Sequence, residues 1–283
     1  STSSMEDLYV NAVNNVNVLT DVEHAPKYTP LYTPNDYNLS GTDYALDIIN
    51  AKDAWDITHG LDSIVIGVSD QNYAVSHEEL LGKVNYYDAN NTALTTHGTS
   101  VAIIAAGNTD NSIGTSSIGF DSKLSLYRMT YNDLLVATYA GIKILNLSWT
   151  SGCTYSQYAQ DIINEIYDNG TFIVASAGNG STCGGASNLV YPASFENVFS
   201  VTSIGSSDNH EKNIGDPNST HQHNDMVDLC APGYDVKVQP ANNWELYSSG
   251  TSFAAPFVSG TVALMLSVNH CLDNEDIELI LKQ

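Results

Sequence analysis

The sequence predicts an α/β fold with three layers, in which helices cover both faces of a doubly wound, mostly parallel sheet. Short apolar runs rich in β-branched residues alternate with longer segments of helical periodicity along most of the chain. The short runs carry apolar residues at consecutive positions, as strands buried on both faces do. Strands separated by helical segments favour a parallel sheet with helices packed over it.

The first forty residues differ from the rest of the chain. They are rich in Asn, Thr, Tyr and Pro, which is typical of an extended arm or linker. From Tyr44 onward, apolar residues recur at helical spacing until Gly60, a residue that can end a helix. We therefore expect residues 1–32 to form an N-terminal arm and residues 33–283 to form the main domain.

Strands and helices then alternate. The expected strands are 63–70, 123–129, 142–149, 171–178 and 197–204, and the expected helices are 97–107, 132–141, 156–170 and one that begins at Ser252. In sheets of this kind, functional groups gather at the carboxyl ends of the strands.

Composition excludes several classes of partner. Lys and Arg total 9 against 32 Asp and Glu, a formal net charge of −23, which argues against nucleic acid or an anionic membrane. No apolar run reaches the roughly 18 to 20 residues that span a bilayer, and no basic region followed by an apolar core opens the chain. The four cysteines have no CxxC spacing, which argues against zinc. Two disulfides and four free buried thiols both remain open.

Three polar residues stand where chemistry is expected. Asp70 ends a strand, and His97 and Ser252 each open a helix. Taken singly, each has an ordinary structural explanation: an ion partner, a structural histidine and a helix cap. Together they form a set in which an imidazole can take the proton of a serine hydroxyl while a carboxylate orients the imidazole. A G-x-S-x-G nucleophile turn is excluded because Ala254 occupies the place of the second glycine.

Four segments, three of them around these residues, are distinctive: VSDQNYAVSHEEL, HGTSVA, ASAGNG and GTSFAAPFVSG. Through these segments the chain resembles the subtilisin-like serine proteases, or subtilases, over roughly residues 33–282 and in the order of the family. The resemblance implies that Ser252 attacks the scissile carbonyl, that His97 shuttles the proton and that Asp70 orients His97. It also implies that the side chain of Asn179 and the main-chain N–H of Ser252 bind the oxyanion.

The resemblance further implies a monomeric endopeptidase that acts on proteins or peptides through an acyl-enzyme, is secreted or held at the cell surface, and is made as a zymogen. Ser148, Trp149 and Thr150 match one wall of the pocket for the residue before the cut, and Val190 matches the pocket floor. Thr150 stands where the family commonly has Gly, and Val190 where it often has a small residue. We therefore expect a shallow pocket that favours small or medium apolar side chains.

Two further expectations follow from the matched segments. Cys153 and Cys183 lie in loops that border the same pocket, which favours a disulfide between them and leaves Cys230 and Cys271 as a second pair. The end of the arm resembles the last strand of an inhibitory propeptide, so residues 1–32 are either a propeptide remnant near the cleft or an extension packed on the domain.

The segment GNTDNSIGTSSIG resembles the high-affinity calcium loop of the family, and calcium prefers carboxylate and carbonyl oxygens in such a loop. The resemblance implies ligands from two side chains and three carbonyl groups: Glu79, Asn111, Thr109, Ile113 and Thr115. Glu79 stands where the family usually has Asp, so the site could be altered or empty. A further ligand expected near the N-terminus has no obvious match.

Two rival functions remain. In a processing enzyme or transpeptidase on the same scaffold, an amine would resolve the acyl-enzyme, and the short segment 128–141 before the wall strand is the one hint of this. A catalytically silent peptide-binding module is the other, and the presence of Asp70, His97, Asn179 and Ser252 together argues against it.

Overall fold

A computed structural model describes residues 32–39, 41, 43–89, 96–208, 220–241 and 244–283. The unit that contains the predicted main domain runs from Tyr32 to Gln283. Tyr32 belongs to it, because its hydroxyl donates a hydrogen bond of 2.8 Å to Asp110. The rest of the predicted arm, and its relation to a propeptide, lies outside the described residues and stays a prediction.

A sheet of parallel strands organises the described residues. Its strands are β1 (Val65–Ser69), β2 (Val84–Tyr87), β3 (Lys123–Tyr127), β4 (Ile144–Leu147), β5 (Phe172–Ser176), β6 (Phe199–Ile204) and β7 (Leu229–Pro232). Their order is β2-β3-β1-β4-β5-β6-β7, and every neighbouring pair is parallel. From β1 the chain runs to the edge strand β2, returns to β3 beside β1, and then crosses to β4 and continues outward to β7. The parallel sheet is as predicted, although β2 and β7 were not predicted from the sequence.

Seven α-helices surround this sheet in the described part of the chain. They are α1 (Tyr44–Ile48), α2 (Ala51–Trp55), α3 (His97–Ala106), α4 (Tyr131–Tyr139), α5 (Gln157–Asp168), α6 (Thr251–Val268) and α7 (Asn274–Leu281). The single helix predicted over 44–60 is wrong, because Asn50 adopts a left-handed conformation with φ of 53° between α1 and α2. Asn tolerates that conformation better than most residues do.

Successive side chains of the strands enter two separate cores. In β5, Phe172 and Val174 pack with α3 and α6, whereas Ile173 and Ala175 pack with α4 and α5. Because side chains alternate across a strand, this division means that both faces of the sheet are covered by helices. The three-layer architecture predicted from the sequence is confirmed.

Helix α6 is the central helix of one layer. Gly260 brings it against α3, since a Cβ atom there would lie 2.2 Å from Ile118 and 2.7 Å from the carbonyl oxygen of Ala105. Among the described helices, α6 alone has the length and apolar composition to cross a membrane, and 72% of its residues are buried inside the fold. It is a core helix.

An antiparallel hairpin that the sequence did not predict completes the fold. Its strands are β8 (Val236–Ala241) and β9 (Trp244–Ser248). The hairpin leads directly into Gly250 and α6.

Candidate active site

The carboxylate of the site follows the central strand of the sheet. Asp70 comes directly after β1 and is 1% exposed. Its main-chain N–H donates to the carbonyl of Tyr127, the last residue of β3, at 3.0 Å. The neighbouring strand therefore fixes the position of Asp70.

The imidazole lies beside this carboxylate. His97 is the first residue of α3, and its Nδ1 lies 2.9 and 2.8 Å from the two carboxylate oxygens of Asp70. Gly98 permits this approach, because a Cβ atom there would lie 2.5 Å from the carbonyl oxygen of Asn72 and 2.9 Å from the Cβ of Asp70.

Asp70 also sets the protonation chemistry of the ring. Burial lowers the pKa of His97, but the hydrogen bond and charge of Asp70 outweigh burial and raise the pKa above its ordinary value. Because Nδ1 donates its proton to Asp70, Nε2 of the neutral ring is left as an acceptor. The ring can therefore take up a proton at Nε2.

The hydroxyl of the site lies at the amino end of α6. Ser252 is the second residue of α6, and its Oγ donates to the carbonyl oxygen of Ser148 at 3.3 Å. The hydroxyl of Ser148 donates in turn to the carbonyl of Ser252 at 2.8 Å. Ser252 and His97 line the same cavity, and a serine–imidazole hydrogen bond of this kind is often long or absent until substrate binds.

An amide group lies next to the amino end of α6. The Oδ1 of Asn179 accepts hydrogen bonds from the N–H of Thr251 at 2.9 Å and from its hydroxyl at 3.1 Å. A main-chain N–H can only donate, so oxygen must face Thr251 and Nδ2 is left as a donor. The amino end of α6 adds positive potential beside that donor.

These groups surround one cavity of about 350 Å³. Its lining includes all four predicted catalytic residues, the predicted wall and four residues that sequence reasoning missed: Asp70, His97, Asn179, Ser252, Ser148, Trp149, Thr150, Gln71, Met129, Ser176 and Thr182. Gln71 and Ser176 lie inside the matched segments but have no role assigned by the resemblance, and Met129 and Thr182 lie outside those segments. They reach the cavity only because neighbouring strands end at the same edge of the sheet.

The wall is fixed by side-chain hydrogen bonds. Trp149 donates through Nε1 to the hydroxyl of Ser69 at 3.0 Å, and its ring meets Tyr131 edge-on at 5.6 Å between centroids. Thr150 donates through Oγ1 to the carbonyl of Tyr191 at 3.0 Å. The wall residues therefore occupy single, defined positions.

Val190, which was predicted to form the pocket floor, is not among the residues that line this cavity. It is 1% exposed and lies behind Gly178, where a Cβ atom would be 3.2 Å from its side chain. Gly178, a lining residue, separates Val190 from the cavity. The side chain of Val190 therefore influences the pocket only through the backbone of Gly178.

The structure forms one of the two disulfides expected. Cys153 and Cys183 are joined, with 5.4 Å between their Cα atoms, and the bond links the segment after the wall to the loop after Asn179. The pairing of Cys230 with Cys271 is wrong, since both are free and exposed on different elements, β7 and the turn after α6.

Part of the predicted calcium site comes together beside α3. The Nδ2 of Asn111 donates to Oε2 of Glu79 at 3.1 Å, while Oε1 of Glu79 is buried without a hydrogen-bond partner. Burial raises the pKa of Glu79 to about 8, against the opposing effect of Asn111 and with the charge of Asp36 adding to the rise. Gly114 completes a close cradle, because a Cβ atom there would lie 1.9 Å from Glu79 Oε1.

Asp36 is the acidic neighbour that the sequence did not reveal. It is fully buried, accepts from the N–H of Asn111 at 3.1 Å and also accepts from the hydroxyl of Ser116. The hydroxyls of Thr109 and Thr115 instead bond to Ser117 and Asp43, and the N–H of Ile113 bonds to Asn111. Thr109, Ile113 and Thr115 could therefore contribute only their main-chain carbonyl oxygens as metal ligands.

No group of three or more His, Cys, Asp or Glu side chains able to hold a metal occurs among the residues that the structure describes. A cation bound beside Glu79 would therefore depend on carbonyl and amide oxygens as well as carboxylates. Calcium accepts such a mixed oxygen set. The orphaned Oε1 and the cradle at Gly114 fit that requirement.

A parallel α/β sheet with Asp70, His97 and Ser252 around one cavity at its carboxyl edge is the arrangement that a serine protease with an Asp-His-Ser set requires. The profile of the subtilase family matches residues 61–283. The chain therefore belongs to the subtilase family. Its predicted fold class and its class as a subtilisin-like serine protease are confirmed.

Named relatives agree with this family. The chain is 31% identical over 91% of its length to the "Thermophilic serine proteinase" of Bacillus sp. strain AK1, of which it spans 66%. It is 32% identical over 97% of its length to the "Halolysin-like extracellular serine protease Nep" of Natrialba magadii, of which it spans 53%. It thus spans less than two thirds of these two relatives.

Thermitase of Thermoactinomyces vulgaris is 30% identical over 86% of the chain, which spans 88% of it. A solved protease of Pseudoalteromonas arctica PAMC 21717 superposes with a TM-score of 0.72, covering 89% of this chain and 92% of that one at 22% identity. At that identity, the superposition supports the fold alone.

Proposed function

We propose that the chain is the catalytic domain of an endopeptidase in which Ser252 is the nucleophile, His97 the general base and acid, and Asp70 the residue that orients His97. The observation that carries the proposal is the Asp70–His97 pair, whose two distances of 2.8 and 2.9 Å leave Nε2 of a cavity-lining imidazole free to accept a proton.

The first step joins the serine oxygen to the substrate. Ser252 Oγ attacks the scissile carbonyl carbon while its proton passes to Nε2 of His97, and Asp70 stabilises the imidazolium that forms. The carbonyl oxygen becomes an oxyanion, which accepts hydrogen bonds from Nδ2 of Asn179 and from the N–H of Ser252. Both donors are fixed before reaction, so little reorganisation opposes the charge.

The second step breaks the peptide bond and then the ester. The oxyanion collapses, His97 returns its proton to the leaving amine, and an acyl-enzyme ester remains on Ser252. Water then attacks the ester with His97 again as base and releases the acid. Mass spectrometry of the products of a peptide digested in the presence of a free amine tests this step: hydrolysis gives new carboxyl termini, whereas aminolysis products would favour the transpeptidase alternative.

We propose that Ser148, Trp149 and Thr150 bind the residue before the cut and favour small or medium apolar side chains. Thr150 supports a narrow pocket, because it lines the cavity and the hydrogen bond from its hydroxyl to the carbonyl of Tyr191 holds its side chain in place. Val190 has no part in this proposal, because it does not line the cavity. A peptide library cleaved best after Ala or Val supports the proposal, and preferred cleavage after Phe or Arg contradicts it.

We also propose that calcium binds beside Glu79, with Asp36 and Asn111 as further side-chain ligands and carbonyl oxygens from Thr109, Ile113 and Thr115. When bound, calcium would neutralise the two buried carboxylates and hold the loop to α3, which is a structural role. It takes no part in the chemistry at Ser252.

We propose secretion, a monomeric state and activation from a precursor on more general grounds. The disulfide supports an oxidising compartment, and a relative matched over 97% of the chain is described as extracellular. N-terminal sequencing of active material tests the precursor: a start near Thr33 supports removal of the arm, and Ser1 retained in fully active enzyme contradicts it.

A further inference from the structure

One glutamine is buried beneath the loop that carries the oxyanion donor. Gln222 lies in the segment that precedes β7, and it is 0% exposed. Glutamine side chains are mostly exposed unless their polar atoms are paired. The bonds that this amide makes therefore identify its role.

Gln222 holds the backbone on both sides of Asn179. Its main-chain N–H donates to the carbonyl of Gly178 at 3.0 Å, and its Oε1 accepts from the N–H of Gly180 at 3.0 Å. Gly178 and Gly180 have φ of +119° and +72°, conformations that glycine adopts without strain. The turn that presents Asn179 is therefore fixed at both ends by one residue.

The donor end of the same amide holds the rest of the loop. Nε2 of Gln222 lies 2.8 Å from the carbonyl oxygens of Gly185 and Asn188, and 3.3 Å from that of Thr182. Cys183, in the middle of this loop, is tied to Cys153 beside the pocket wall. An acceptor for the turn and a donor for the loop are both required, and a neutral amide supplies both.

We propose that Gln222 is a positioning residue for the reaction: it acts through Asn179, by holding the turn 178–180 where Nδ2 meets the developing oxyanion. The inference rests on the proposed function of Asn179 and Ser252. Because Asn179 stabilises charge that exists only in the transition state, a displaced turn lowers kcat and leaves KM nearly unchanged.

The test compares Gln222→Met with a matched control. Gln160 is also buried, and it clamps the backbone of Glu196 with the same two atoms, accepting its N–H and donating to its carbonyl at 3.0 Å each. Nε2 of Gln160 also donates to Oδ1 of Asn164 at 2.9 Å, so Gln160→Met removes a comparable set of side-chain bonds at a loop outside the active-site cavity. Each variant is made in the wild-type chain and in Asn179→Ala, and kcat, KM and Tm are measured.

We expect Gln222→Met to lower kcat by about 10- to 100-fold, since losing an oxyanion donor outright costs about 10²–10³ in a subtilisin. In the Asn179→Ala background the same change should alter kcat by less than about threefold, because the group that it positions is gone. Gln160→Met should lower Tm while changing kcat less than about twofold. An equal loss of kcat with and without Asn179, or equal losses from Gln160→Met and Gln222→Met, overturns the inference.

Gln222→Asn keeps the test decisive if the Met variant does not fold. It keeps a neutral amide but is one methylene shorter, so it cannot hold Gly180 and the loop carbonyls together, and kcat should again fall only when Asn179 is present. If kcat of Gln222→Asn matches the wild type, the inference is wrong. Ser252→Ala separates the two levels: undiminished hydrolysis by that variant overturns the proposed function itself.

Discussion

Removal of the Cys153–Cys183 bond is expected to destabilise the domain measurably. The two residues are 30 positions apart, and the entropy of closing a loop of that length in the unfolded chain corresponds to about 3–4 kcal/mol at 25 °C. In a domain of this size, each kcal/mol shifts Tm by about 2–4 °C. The double variant Cys153→Ser, Cys183→Ser should therefore melt roughly 6–16 °C lower.

The chain provides its own control for this measurement. Cys230 and Cys271 are free and exposed, so the double variant Cys230→Ser, Cys271→Ser removes as many sulfur atoms without opening a loop. Calorimetry of both double variants, without reductant, should show a large shift for the first pair and almost none for the second. Equal shifts, or no shift on losing the bond at Cys183, would refute the reasoning. Activity at 20 °C should change little, because Gln222 still holds the same loop.

Three further predictions concern chemistry, metal and specificity. Asp70→Asn should lower kcat by about 10⁴-fold. It should also move the acidic limb of the pH profile of kcat/KM to lower pH, because that limb reflects the pKa of His97, which Asp70 raises and burial alone would lower. A limb that does not move argues against the Asp70–His97 pair. Calcium should raise the Tm of the wild type, and chelation should lower it. The Tm of Glu79→Gln should respond to neither, whereas the Tm of the control Glu78→Gln should respond as the wild type does. Equal Tm responses of Glu79→Gln and the wild type in calorimetry would contradict the site. Thr150→Gly should raise kcat/KM for peptides with Phe before the cut by about tenfold relative to Ala, and an unchanged ratio would rule Thr150 out as the limiting wall.

Much of the site could be predicted because its residues occupy positions that local sequence defines. Asp70 ends a strand, and His97 and Ser252 open helices, so the rule that strand ends converge brings them together. Each element has a strong local pattern, and the parallel order of the sheet follows from the alternation of strands and helices. The predicted catalytic residues therefore surround the cavity in which they were expected.

Other features depend on contacts between distant parts of the chain. Asp36 bonds to Ser116, 80 positions away, and Gln222 bonds to Gly180, 42 positions away; neither contact leaves a local signal. The break at Asn50 is a left-handed residue inside an apolar pattern that otherwise indicates one helix. Val190 sits one layer deeper than expected, since alignment by motif gives a position along the chain and not the depth of a side chain.

Labelling with a serine-directed fluorophosphonate tests the central claim most directly. The phosphorus reagent forms a covalent bond with an activated serine oxygen, and peptide mapping locates the adduct. The structure predicts one adduct, on Ser252, abolished in Ser252→Ala and strongly slowed in His97→Ala. Labelling that persists in Ser252→Ala, or an adduct mapped to Ser148, would contradict the assignment of Ser252 as the nucleophile.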